Sequence, residues 1–107
     1  MKPGDVVVGA FPAAKIAKSR PAVVLSTEAY HLHRPDLILG VITTQPPPVL
    51  SPTDCVLTEW WIAGLRAPSF FRLYLIRFPQ REVQVVDRLA DRDWHEVRRF
   101  IASGLGR

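Results

Sequence analysis

Two stretches decide the fold: residues 18–27, "KSRPAVVLST", and residues 41–45, "VITTQ". The first is a basic, polar approach to an Arg-Pro step, followed by a run of β-formers. Pro21 to Ser26 therefore predicts a strand with Pro21 at its start, because a proline cannot donate to a ladder. The second closes an apolar run, Asp36 to Thr44, too short for a packed helix. That run predicts a central strand covered on both faces. It ends abruptly in two hydroxyls and an amide. Both strands thus deliver polar side chains, Arg20 and Thr43, at their ends.

Outward from this pair, Asp5 to Phe11 is valine-rich and predicts a first strand. Residues 12–20, "PAAKIAKSR", predict an exposed basic loop. Thr27 to Arg34 predicts a short helix capped by Thr27 and stopped by Pro35, which disfavours a helical Arg34. "QPPPVLSPTD" (45–54) carries four prolines and excludes regular structure there. Cys55 to Thr58 reads as a short strand, and "EWWIAGL" (59–65) as a helical turn stopped by Gly64. Ser69 to Phe78 reads as a strand ended by Pro79. Glu82 to Val86 alternates as a half-buried strand does. "DWHE" (93–96) predicts a capping box, with Asp93 as cap and Glu96 three residues on. Trp94, Val97, Phe100, Ile101 and Leu105 then share one helical face, and Gly104 is the expected stop. Short strands punctuated by proline and glycine, then one helix, predict a mainly β fold: a small antiparallel barrel with short helices and a C-terminal helix.

The totals bound what such a fold does. At 107 residues the chain predicts one domain, 1–107. Hydrophobic residues at 48% and charged residues at 22% exclude a disordered composition. The single cysteine, Cys55, excludes an internal disulfide and a multi-thiolate zinc site. The start, "MKPGDVVVGA", lacks signal-peptide form, and the longest apolar run, Leu37 to Ile42, is strand-sized. A soluble, cytoplasmic protein is expected. The net charge of +4 and a pI near 9.8 permit a polyanionic partner without requiring one. Lys15, Lys18 and Arg20 lie in a stretch without acids, and so do Arg66, Arg72, Arg77 and Arg81.

Each candidate group has a plain reading beside the functional one. An arginine at a strand edge is more often solvated than functional, yet Arg20 beside Pro21 is held more rigidly than one on a free loop. Its guanidinium fork matches a phosphate in two contacts. Thr43 and Thr44 are ordinary β-formers; with Gln45, and near an arginine, they suit a phosphate oxygen or a ribose hydroxyl. His31 and His33, two apart, would face different sides of a helix and are poor joint metal ligands. These two and His95 read as surface residues. Of Trp60 and Trp61, at least one faces outward, as a protein interface or a base-stacking platform, with packing against the core at least an equal reading. No glycine-rich phosphate loop, G-x-S-x-G or Cys-His pair is present.

Taken in order, "GDVV", a basic loop, "SRPAVVLS", "VITTQ" and a terminal helix resemble the MazF/PemK (Kid) toxins of type II toxin–antitoxin systems, most closely the PemK-like branch. The resemblance implies an SH3-like, CcdB-like barrel, usually a homodimer. It implies metal-independent, sequence-specific cleavage of single-stranded RNA through the ribose 2′-OH, with no cofactor, no membrane role, and a cognate antitoxin as partner. It carries the catalytic roles over to Arg20 and Thr43. Substrate-binding roles fall on Phe11, Pro12, Lys15, Lys18, Ser19, Thr44, Gln45, Arg72 and Tyr74. The Arg-x-Asp of some members corresponds here to "FFRLYL": Arg72 matches, while Tyr74 stands where the acid would be. A histidine that some members carry near the first loop is absent too. Both departures favour a scheme resting on the arginine and threonine. The rival readings are a non-catalytic CcdB-like binding module or gyrase poison, and an enzyme-dead relative. A gyrase poison has no need of the Arg20 and Thr43 pair.

Overall fold

The computed structural model describes residues 1–11, 18–45 and 54–105. Six strands form one antiparallel sheet: β1 (Asp5–Phe11), β2 (Lys18–Val24), β3 (Asp36–Thr43), β4 (Asp54–Leu57), β5 (Ser69–Pro79) and β6 (Gln84–Arg88). Their spatial order is β4-β5-β3-β2-β1-β6, so β3 is central, as its continuous apolar sequence predicts. Two helices, α1 (Glu28–His33) and α2 (Asp91–Leu105), complete the chain with short 3-10 turns at Trp60–Ala63 and Gln80–Glu82. The sheet curls into a half-barrel, with α2 as the C-terminal helix.

Both faces of the sheet are packed. On one, Val6, Val23, Ile42, Cys55 and Phe71 meet Val97 of α2, with Trp94, Phe100 and Ile101 against them. The sequence's apolar helical face is therefore the face that docks; burying each such large side chain contributes roughly 1.5–3 kcal/mol. On the other face, Val7, Ala22, Val24, Leu37 and Leu39 pack with Ile76, Phe78 and Val83. β3 feeds both clusters, because its alternating side chains point opposite ways. Gly40 sits where the ring of Phe71 leaves no room for a side chain.

The short elements follow local chemistry. Thr27 caps α1 by accepting the Tyr30 amide at 3.2 Å. Gly64 ends the Trp60–Ala63 turn with φ of 76°, a left-handed conformation that suits glycine. Trp61 is 57% exposed, while Trp60 packs against the core. Among the described residues, no helix is long and apolar enough to cross a membrane.

Four sequence expectations are corrected. Residues 18–20 are not loop: β2 begins at Lys18, and Pro21 is its fourth residue rather than its first. Proline is tolerated there because β2 pairs with β3 only from Ala22 onward. The last strand starts at Gln84 and is exposed throughout, not half-buried. It is an edge strand paired only with β1, and the register shift between Val6 and Val7 breaks its alternation. Asp93 is not a cap. The helix starts at Asp91, and Asp93 turns inward, 1% exposed, to accept three hydrogen bonds. Thr58 N and Thr58 Oγ1 donate to its Oδ1 at 2.9 Å each, and Glu59 N donates to its Oδ2 at 2.8 Å. Glu96 pairs instead with Arg99 at 2.9 Å. Lastly, Gly104 lies within α2 and does not stop it.

Candidate functional site

The site arises where two central strands part. β2 and β3 pair through Val24↔Leu39, Val23↔Gly40 and Ala22↔Val41, and there the pairing stops. Two positions further along each strand stand Arg20 and Thr43, opposite each other in the continued register. β2 stays with β1 beyond that point, and β3 stays with β5. A notch of about 300 Å³ opens between them, lined by Arg20, Pro21, Ile42, Thr43, Thr44, Gln45 and Ser69. Pro21, which has no N–H to offer, sits on its wall.

The polar groups in the notch are poised and uncompensated. The Nε of Arg20 is buried and has no hydrogen-bond partner. Among the described residues no carboxylate pairs with Arg20. An unmatched buried donor of a cation is costly and calls for an anionic acceptor. Thr43 Oγ1 accepts the amide of Gln45 at 3.1 Å. One lone pair is thereby engaged, and the hydroxyl hydrogen remains to be donated. Gly9, buried and opposite Arg20 on β1, places no side chain beside the arginine.

Arg72 shares the face of Arg20. It lies opposite Val41 on β3, and Val41 lies opposite Ala22, so all three project the same way. Its Nε is likewise buried without a partner. Arg77, from the same acid-free stretch, is different: it pairs with Asp36 at 3.0 Å, an acid 41 residues away in sequence (77 − 36).

Of the expected site residues, the notch unites Arg20, Thr43, Thr44 and Gln45. Ser19 is exposed on β2 opposite Ala10. Tyr74 is 59% exposed and lies outside the notch, where β5 carries two extra residues between the partners of Gly40 and Val41. Phe11 and Lys18 pair through their backbones at the ends of β1 and β2. Their side chains, with Pro12, Lys15 and the proline run 46–53, lie outside the described residues. Sequence reasoning missed Pro21, Ile42 and Ser69 as lining residues; a proline embedded in a strand was the available signal for Pro21.

Other reactive groups have structural work. His31 Nδ1 donates to the Met1 carbonyl at 3.2 Å, and Ser26 Oγ donates to its Nε2 at 2.6 Å while accepting the Ile38 amide at 3.0 Å; this tautomer is assigned from the partners. Burial, and then the charges of Asp93 and Glu96, push the Cys55 thiol up from 9.0 to about 12, so it is a poor nucleophile. Among the described residues, no three His, Cys, Asp or Glu side chains converge as a metal-ligand set.

A curled antiparallel sheet with a terminal helix places the chain among small mainly β barrels. Residues 2–105 match the family described as PemK-like, MazF-like toxin of type II toxin-antitoxin system, and the chain belongs to that family. Solved structures share the fold at low identity. An endoribonuclease from a mycobacterial species, in complex with its cognate antitoxin, is 14% identical with a TM-score of 0.79 over 99% of this chain and 95% of its own. MazF from Deinococcus radiodurans is 22% identical with a TM-score of 0.77 over 100% and 97%. MazF of a MazE–MazF structure from the same organism is 20% identical with a TM-score of 0.78 over 99% and 96%. No curated protein matches the chain by sequence.

Proposed function

We propose that this chain is the toxin of a type II toxin–antitoxin pair and acts as a sequence-specific, metal-independent endoribonuclease on single-stranded RNA. The observation that carries this reading is the notch in which Arg20 and Thr43 face each other, the arginine with a buried Nε lacking any acceptor. A phosphodiester supplies the missing acceptor and fits the arginine fork. Family membership and the endoribonuclease neighbours support the same chemistry.

In the reaction, the ribose 2′-oxygen bonds to phosphorus as the bond from phosphorus to the 5′-oxygen breaks. The 2′-hydroxyl loses a proton, and the leaving 5′-oxygen gains one. The products are a 2′,3′-cyclic phosphate and a 5′-hydroxyl end. Arg20 remains charged throughout, so it stabilises the phosphorane and donates a hydrogen bond toward the leaving oxygen; it is no base. Thr43, its oxygen held by the Gln45 amide, turns its hydroxyl to the phosphate or the 2′-OH. Positioning supplies much of the rate in such a site. Lys15, Lys18, Ser19, Thr44, Gln45, Arg72 and Tyr74 hold the strand, and Phe11 with Pro12 sorts bases.

A homodimer in the cytoplasm, silenced by an antitoxin whose acidic or amphipathic tail covers this cationic surface, completes the reading. The antitoxin complexes among the structural neighbours support that partner. The test is purified protein with a long RNA in EDTA, beside Arg20→Ala. Discrete cuts bearing 2′,3′-cyclic phosphate ends, lost in the folded variant, are the expected result. Intact RNA with the native chain, or equal cutting by the variant, would overturn it.

A further inference from the structure

The row of side chains that carries Arg20 and Thr43 does not stop at β3. Thr43 lies opposite Phe70 on β5, and Phe70 lies opposite Val56 on β4. Directly opposed residues of antiparallel strands project to the same face. Arg20, Thr43, Phe70 and Val56 therefore form one line across the sheet. Its first half is cationic and hydroxylic; its second half is wholly apolar. Phe70 is half-buried, and Val56 is 44% exposed. The neighbouring Phe71 points the other way and fills the core, whereas Phe70 lies outside both core clusters and keeps part of its surface exposed.

We propose that Phe70, backed by Val56, is the stacking platform for a base adjoining the scissile phosphate. This rests on the RNA-cleaving reading and adds a substrate-binding residue to it. The spacing fits: Phe70 stands one strand from Thr43, about 4.8 Å, within reach of a base carried by a ribose whose phosphate sits in the notch. A flat aromatic face beside a phosphate site is the arrangement by which proteins hold unpaired bases, because every base has a π-face. The apolar half of the row offers no polar group to a phosphate, so the RNA runs with its backbone toward Arg20 and a base toward Phe70.

The test begins with the native chain and a synthetic RNA containing one mapped cut. Single abasic nucleotides are placed in turn on either side of it. One flanking abasic position raises KM roughly tenfold or more, the size of a lost base–aromatic stack, with kcat far less affected. Phe70→Ala shows the same rise on intact RNA and no further rise on that abasic RNA. Phe70→Trp restores the discrimination. A merely structural role would lower thermal stability and slow all RNAs alike. If the native chain cuts RNA and Phe70→Ala keeps the native KM or the native abasic penalty, the platform is overturned while the ribonuclease reading stands. If Phe70→Ala instead changes the sedimenting mass without any base-dependent change in KM, the patch belongs to a contact between two copies and the platform is again overturned. If the native chain neither binds nor cuts RNA, both readings fall together.

Discussion

Arg20 and Thr43 hold opposing positions on β2 and β3, two residues past the last pair that the strands share, Ala22↔Val41. The notch they line is thus a defect in an otherwise continuous sheet. Its walls are strands held from behind by β1 and β5, so both side chains are positioned by rigid elements rather than by loops.

The roles assigned to the pair differ, and so do the expected losses. Thr43→Val keeps the shape of the side chain and removes its hydroxyl. RNA cleavage should fall on the order of a hundredfold, and Thr43→Ser should recover most of it. Arg20→Lys keeps the charge but loses the fork, and should cut much more slowly than the native chain. Single-turnover cleavage of one mapped RNA checks all three. A Thr43→Val protein that cuts at the native rate would remove threonine from the mechanism.

Asp93 is the most constrained acid among the described residues. Both carboxylate oxygens accept donors from the Thr58–Glu59 turn, at 2.8 to 2.9 Å. Asp93→Asn turns one acceptor into a donor facing an N–H or a hydroxyl. A loss of roughly 3 kcal/mol is expected, as for a buried, charged hydrogen-bond set broken on one side. Thr58→Val should cost less, since both backbone amides keep their acceptor. Urea unfolding of the two variants gives the comparison.

Cys55 makes stability depend on alkaline pH. Its thiol ionises at an ordinary 9.0 when unfolded and at about 12 when folded, chiefly through burial. In that window the folded chain keeps a proton that the unfolded chain has lost. The neutral thiol's contribution is thus fully present below pH 9.0 and is lost progressively as pH rises toward 12. Cys55→Ala should flatten this part of the stability curve. Unfolding at neutral pH and at about pH 10.5 measures it. Iodoacetamide should leave native Cys55 unlabelled at neutral pH.

Gly40 is required by its neighbour. A side chain there would overlap the ring of Phe71, the largest fully buried side chain among the described residues. Gly40→Ala should destabilise the protein by about 1–3 kcal/mol. Pairing it with Phe71→Leu should recover part of that loss, read from the shift in thermal midpoint.

Much of the fold was legible because local and tertiary signals agreed. The valines of β1, the unbroken apolar run of β3 and the helical spacing of Trp94, Val97, Phe100 and Ile101 all name the element they form. What sequence alone misplaced depended on partners distant in the chain. Pro21 read as a strand start because proline breaks ladders; only the register shows that β3 has stopped pairing at Ala22, while β1 continues on the other side. Asp93 read as a cap because caps are usually acidic or hydroxylic, while its real partners, Thr58 and Glu59, lie 35 and 34 residues away. Arg20 and Thr43 were legible as strand-end groups. That Phe70 continues their row was not, because it needs the register of β3 against β5.

The clasp of Asp93 on Thr58 and Glu59 bears on when the molecule can come into being. Val97 and Trp94 of α2 close the cluster that also contains Ile42 and Phe71, the residues immediately before Thr43 and after Phe70. A nascent chain still hidden in the ribosome beyond residue 90 therefore has neither that lid nor the acceptor for its β4 turn. The core behind the strands bearing the notch is therefore complete only when α2 has docked, so the notch and the helix share one cooperative unit.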